Sequence, residues 1–122
     1  MREIVLLELE PYWEAELCRR FGDLEGGLIV CRTVSEVKPA LQRHPENLFL
    51  CHWHPIEGDL LLLIGEAIEA KLTMGVIVFC QCGEEELEWT LREMGVVAVL
   101  MDRYESAEKL ERYVRLSGEG KC

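Results

Sequence analysis

The residues of this chain with the most varied chemistry fall in short clusters. Cys51-His52-Trp53-His54-Pro55 and Cys80-Gln81-Cys82-Gly83 supply thiols and imidazoles, while Glu8-Leu9-Glu10-Pro11 and Asp102-Arg103-Tyr104 supply carboxylates. Thiolate sulfur and imidazole nitrogen are the preferred ligands of tetrahedral zinc, so Cys51, His52, His54, Cys80 and Cys82 define one candidate chemistry. Neither cluster has the Cys-x2-Cys spacing of a zinc ribbon or finger, and Cys51 and Cys80 equally suit small core positions. A reversible disulfide between Cys51 and Cys80 is a further candidate. It requires a thiolate, and the sequence places no Lys or Arg there to favour one, whereas the neighbouring acids disfavour it.

Other chemistries are excluded by missing parts. A dinucleotide site needs a glycine-rich turn after a strand, whose amides cradle the pyrophosphate, and the chain has none. It also lacks a Walker motif and a Gly-x-Ser-x-Gly elbow, which removes nucleoside triphosphatase and serine hydrolase readings. A flavin phosphate would meet Glu8, Glu10 and Pro11 where it needs hydroxyls and free amides.

The elements that must position these clusters are legible from periodicity. Nearly continuous apolar runs at Ile4–Leu9, Leu28–Val34, Leu48–Trp53, Val76–Cys80 and Val96–Met101 read as strands of a parallel sheet covered on both faces. Between them lie helical patterns. Trp13, Leu17 and Phe21 share one stripe; Val37, Leu41 and His44 share the next, with Ser35 as N-cap and Pro39 costing a hydrogen bond unless it falls in the first turn. The third helix spans Leu60–Leu72 with Leu61, Ile64, Ile68 and Leu72 inward. The fourth spans Glu84–Met94 with Leu87, Leu91 and Met94 inward and Gly95 as its stop, and the fifth starts near Ser106 and buries Ala107, Leu110 and Val114. Right-handed crossovers then give an α/β fold, a three-layer α/β/α sandwich whose ligand crevice lies beyond the carboxyl ends of the strands. Those ends are where the clusters sit.

Length and charge bound the setting. A chain of 122 residues is one domain, here residues 1–116 with a tail at 117–122, and it buries about 65–70% of its unfolded surface without staples. No apolar run is long enough to span a membrane, and Met1 to Leu9 lacks the layout of a signal peptide, so a cytoplasmic protein with reduced thiols is expected. A net charge of −10 argues against gripping nucleic acid or anionic lipid, leaving proteins as the expected partners.

Read together, strand, loop and helix resemble the receiver domain of two-component response regulators over essentially the whole chain. Ile4-Val5-Leu6-Leu7-Glu8-Leu9-Glu10-Pro11 follows the receiver opening of apolar residues, acids and proline; Pro55 lies four residues after Cys51, as a proline follows the phospho-accepting Asp of receivers; and Gly95-Val96 precedes the last strand. The resemblance implies a flavodoxin-like five-stranded parallel sheet in the order 2-1-3-4-5. It sets Cys51 at the acceptor position, Cys80 and Gln81 at the hydroxyl and the small residue after it, and Asp102 at the conserved Lys. Phosphoryl transfer in receivers uses an acceptor carboxylate, Mg²⁺ held by acids, a hydroxyl and the Lys. Here Glu8 is kept, Leu9 replaces the second acid, and Glu10 is the nearest substitute ligand. The expectation is a degenerate acceptor pocket of Glu8, Glu10, Cys51, Cys80, Gln81 and Asp102 that takes no phosphate by the aspartyl route, performs no catalysis and does not bind Mg²⁺ as active receivers do. Val99 stands where receivers often carry a switching aromatic, and Tyr104 lies beyond it.

The tryptophans divide by position. Trp13 belongs to the core stripe, and Trp53 ends the third strand, placed to fill volume beside the pocket. Trp89 lies about 200° around its helix from Leu87, away from the inner face, as a contact aromatic would. In receivers the surface formed by the fourth helix, fifth strand and fifth helix is the usual partner face. The expected role is therefore a signalling module that binds another protein, or a second copy of itself, through that face. The alternatives are an N-terminal regulatory domain of a larger DNA-binding, ATPase or kinase regulator, and a Cys/His metal or redox module.

Overall fold

All five expected strands form, with ends that shift by up to three residues. A computed structural model describes residues 3–8, 13–20, 27–44, 46–53, 60–80, 85–100 and 108–113. The order is β1 Glu3–Leu7, α1 Trp13–Arg20, β2 Leu28–Cys31, α2 Val34–Arg43, β3 Asn47–His52, α3 Leu60–Glu69, β4 Val76–Phe79, α4 Glu85–Met94 and β5 Ala98–Leu100, followed by helical residues 108–113, here α5. The sheet is wholly parallel, in the order β2-β1-β3-β4-β5. This is the flavodoxin-like α/β arrangement expected.

Strand alternation divides the interior into two layers. Val5, Leu7, Phe49, Cys51, Val78, Cys80 and Val99 face α2, α3 and α4, while Ile4, Leu6, Leu48, Leu50, Ile77 and Phe79 face α1 and α5. Successive side chains of a strand point to opposite faces, so an apolar run without polar interruption can satisfy both layers at once. Trp13 is 2% exposed and stacks on Phe79 with ring centroids 4.1 Å apart and planes at 13°, which places α1 against the sheet as its stripe requires. Phe21, Ala107, Val114 and the tail at 117–122 lie outside the described residues.

Several local expectations need correction. α2 begins at Val34 with Thr33 as N-cap, not Ser35, because Glu36 lies three residues on and its carboxylate accepts from the Thr33 amide at 2.9 Å. Pro39 therefore sits past the first turn, on the exposed side of the helix, where its missing N–H is tolerated at a cost. The stripe of α3 is rotated: Leu60, Leu63, Ile64 and Ala67 are buried, and Leu61, expected inward, is exposed along with Leu62. Five consecutive apolar residues, Leu60 to Ile64, carry no polar marker to set the phase. α4 closes as expected, with Gly95 at φ +104° and the Val96 amide donating to the Leu91 carbonyl at 3.3 Å.

Candidate functional site

The carboxyl end of β1 is built from Glu8 outward. The Glu8 amide donates to the Cys31 carbonyl at 3.1 Å, so the parallel ladder runs one step past the strands and brings the next β2-side residue, Arg32, alongside Glu8. The Glu8 side chain is 0% exposed, and its carboxylate accepts from the Trp13 amide at 2.5 Å and the Glu14 amide at 3.1 Å. A carboxylate receiving the first amides of a helix satisfies donors that have no intrahelical partner and lies at the positive end of the helix dipole. Glu8 is thus the cap of α1.

Arg32 completes this cluster. Its Nη1 donates to the Glu8 carbonyl at 3.2 Å and lies 3.8 Å from Glu8 Oε2, while Nη2 bonds Glu14 Oε1 at 2.5 Å. The Arg32 backbone is fixed as well, since its amide donates to Glu36 Oε1 at 3.0 Å. The amide of Arg32, then the Thr33 hydroxyl, hold the Glu36 carboxyl below its ordinary pKa. Glu8 therefore has a cation beside it, on the face of the sheet opposite Cys51 and Cys80. No motif marks Arg32 in the sequence; the 2-1-3-4-5 order, which puts the end of β2 beside β1, is the signal that points to it.

These residues do not fit a divalent cation. Mg²⁺ demands near-octahedral oxygen ligands and tolerates no competing positive charge in its shell. Here a guanidinium stands before the Glu8 and Glu14 oxygens, where a divalent ion would have to lie.

Cys51 and Cys80 are brought together on the other face of the sheet. β3 and β4 pair with Cys51 opposite Val78, so Cys80 lies two residues further along the same side, within the core under α2, α3 and α4. Cys51 is 0% exposed and Cys80 5%. Trp53 packs against this same core, and its amide donates to the Phe79 carbonyl at 2.8 Å. Burial pushes the Cys51 thiol far up, with Cys80 adding to the effect; burial, then the Glu36 carboxylate, pushes Cys31 up to about 11. Neutral thiols in a dry core are poor nucleophiles and poor metal ligands. Among the described residues no group of three His, Cys, Asp or Glu side chains is arranged to hold a metal ion. Glu10, His54, Gln81, Cys82, Asp102 and Tyr104 lie outside the described residues.

The raised thiols predict an alkaline limit to stability. Below pH 9 both Cys31 and Cys51 are protonated in the folded and unfolded chain alike, and their contribution is complete. Above it the unfolded thiols ionise while the buried ones do not, so each withdraws about 1.4 kcal/mol per pH unit. The Cys31 share is exhausted near pH 11, while the Cys51 share continues. Urea unfolding of the wild type and of Cys51→Ala over this range checks the slope: the variant should lose one thiol's share, and equal slopes would contradict the burial effect.

The third region is the face of α4, β5 and α5. Trp89 is 67% exposed, as its angular position required. Beside β5 runs a groove of about 360 Å³ lined by Arg92, Lys109, Arg112 and Tyr113 over Ala98 to Leu100. Arg92 also pairs with Glu88 on its own helix, at 2.9 Å. Periodicity marks Trp89 but not the cations, which become neighbours only when α4 and α5 flank the same strand. The outward Leu61 and Leu62 of α3 are another unforeseen apolar surface, at 36% and 64% exposure. No helix among the described residues is long and apolar enough to cross a membrane. Compared with known proteins, the sequence matches no family model and no curated protein.

Proposed function

We propose that this chain is a noncatalytic, receiver-like signalling module that takes no phosphoryl group by the aspartyl route. It acts in the cytoplasm by binding another protein, or a second copy of itself, through the face of α4, β5 and α5. The observation that carries this reading is Trp89, a large aromatic 67% exposed on α4, three residues before Arg92, which with Arg112 and Tyr113 borders the groove beside β5. Trp, Tyr and Arg are the residue types that dominate binding energy at protein interfaces. The phosphoryl half of the proposal is supported by Cys51, a buried thiol at the position the receiver resemblance assigns to the acceptor, and by the guanidinium at the end of β1.

Two measurements test it. Titration with beryllofluoride and Mg²⁺ should leave the amide resonances of Leu50 to Trp53 unmoved; saturable shifts there would refute the phosphoryl half. Sedimentation velocity over a concentration series should show self-association that Trp89→Ala weakens tenfold or more, the effect of losing about 1.4 kcal/mol or more at a hot spot. If the wild type stays monomeric, the partner is a different protein. A photo-crosslinking residue at position 89 should then capture it in the source cells, whereas one at the exposed Lys71, outside this face, should not. Equal capture at both positions overturns the interface.

A further inference from the structure

The charge that a buried acid needs at the carboxyl end of β1 comes from within the chain. Glu8 is wholly buried and accepts from two helix amides, and burying a charged group costs free energy unless an opposite charge stands close at hand. Arg32 provides the charge. Its guanidinium spans the Glu8 carbonyl at 3.2 Å, Glu8 Oε2 at 3.8 Å and Glu14 Oε1 at 2.5 Å, joining β2, β1 and α1 across a separation of 24 residues. The planar fork of arginine suits such a division between acceptors, whereas the compact ammonium of lysine does not.

We propose that the Arg32 guanidinium is a built-in cation standing where a receiver-like pocket would hold its divalent metal. It ties the end of β1 to the first turn of α1 without metal and keeps divalent ions away from Glu8 and Glu14. Only the location at which to look for a metal rests on the receiver-like reading; the cluster itself rests on the geometry. Two further features make the arginine a fixture and not a loose surface charge. The Arg32 amide is tied to Glu36 at 3.0 Å, so the side chain departs from a fixed point at the start of α2, and the ladder bond from the Glu8 amide to Cys31 at 3.1 Å sets that point against β1. A second cation brought to the same oxygens would lie within a few ångströms of the guanidinium, where repulsion in a partly buried setting is large.

The consequence is a latent divalent site that the arginine closes. Mn²⁺ is the probe, read on the full chain by paramagnetic broadening of the Trp13 and Glu14 amide resonances and by the thermal midpoint. The wild type should show no selective broadening and no shift of midpoint. Arg32→Gln should melt lower, bind Mn²⁺ at least tenfold more tightly than the wild type, and recover its midpoint as Mn²⁺ is added. Adding Glu14→Gln to Arg32→Gln should abolish the binding, and Arg32→Lys, which keeps the charge, should still exclude Mn²⁺. If Arg32→Gln is unfolded alone and folds with Mn²⁺, the proposal stands; if Mn²⁺ neither binds nor restores it, the proposal fails. Selective broadening in the wild type as strong as in Arg32→Gln also overturns it. Neither result bears on Trp89, so failure here is separable from failure of the interface.

Discussion

Replacing Cys51 by Asp, the residue type that the receiver resemblance would set at this position, is expected to destabilise the protein by about 4 kcal/mol at neutral pH and to leave it unphosphorylated. Residue 51 is 0% exposed and lies among Leu7, Val78 and Cys80 in the core under α2, α3 and α4. Arg32, the cation beside the end of β1, is engaged across the other face with Glu8 and Glu14. A carboxyl buried in this way has its pKa raised by several units, and about 3 units at about 1.4 kcal/mol each give the figure stated. The sign follows from the direction of the shift. The unfolded Asp ionises near about pH 4 while the folded one stays neutral, so the deficit grows as pH rises from there and shrinks toward acid. Denaturant unfolding of Cys51→Asp and wild type at acid and neutral pH checks both magnitude and direction. Intact mass after acetyl phosphate and Mg²⁺ checks the chemistry, and a phosphoryl adduct on a variant of undiminished stability would show that position 51 opens to solvent.

The second large effect is expected at Glu8. Glu8→Ala removes the acceptor of the Trp13 and Glu14 amides and one partner of Arg32 at once. Helix caps are worth about 1 kcal/mol and charge-assisted hydrogen bonds about 1.5–3 kcal/mol, so a loss on the order of 3 kcal/mol is expected. Glu8→Gln keeps a carbonyl oxygen of the same reach and should lose roughly half as much, because one amide remains capped while the charge is gone. The damage should be local in its first stage. Trp13 stands on Phe79, so α1 stays docked by its stacking contact, and exchange of the Trp13 and Glu14 amides should quicken before the β3 and β4 amides do. Thermal unfolding measures the total, and residue-resolved hydrogen exchange measures the order. Uniform acceleration in every strand would assign Glu8 to global packing and not to capping α1.

Both expectations turn on side chains whose types were plain in the sequence and whose roles were not. The receiver resemblance sets Glu8 in an acceptor pocket with Cys51 and Cys80 as its neighbours. The fold instead points Glu8 toward α1 and puts the thiols on the opposite side of the sheet. The alternation of β1 decides this: Leu7 faces the α2–α3–α4 core, so the next residue faces α1. α3 shows the same limit in another form, since Leu60 to Ile64 are all apolar and only packing could choose which of them turn outward.

What the sequence by itself determined is the set of local properties: the apolar runs that become β1 to β5, the helical stripes of α1, α2 and α4, the stop at Gly95, and the outward place of Trp89. Each follows from residue type and period over a few neighbours. The tertiary structure alone decided the charge partners that lie far apart in the chain. Arg32 meets Glu8 from 24 residues away because β2 pairs beside β1, and Arg92 reaches the same groove as Lys109 and Arg112 because α4 and α5 flank β5. Electrostatic energy depends on distance in space and on burial, and neither is a property of a short stretch of chain.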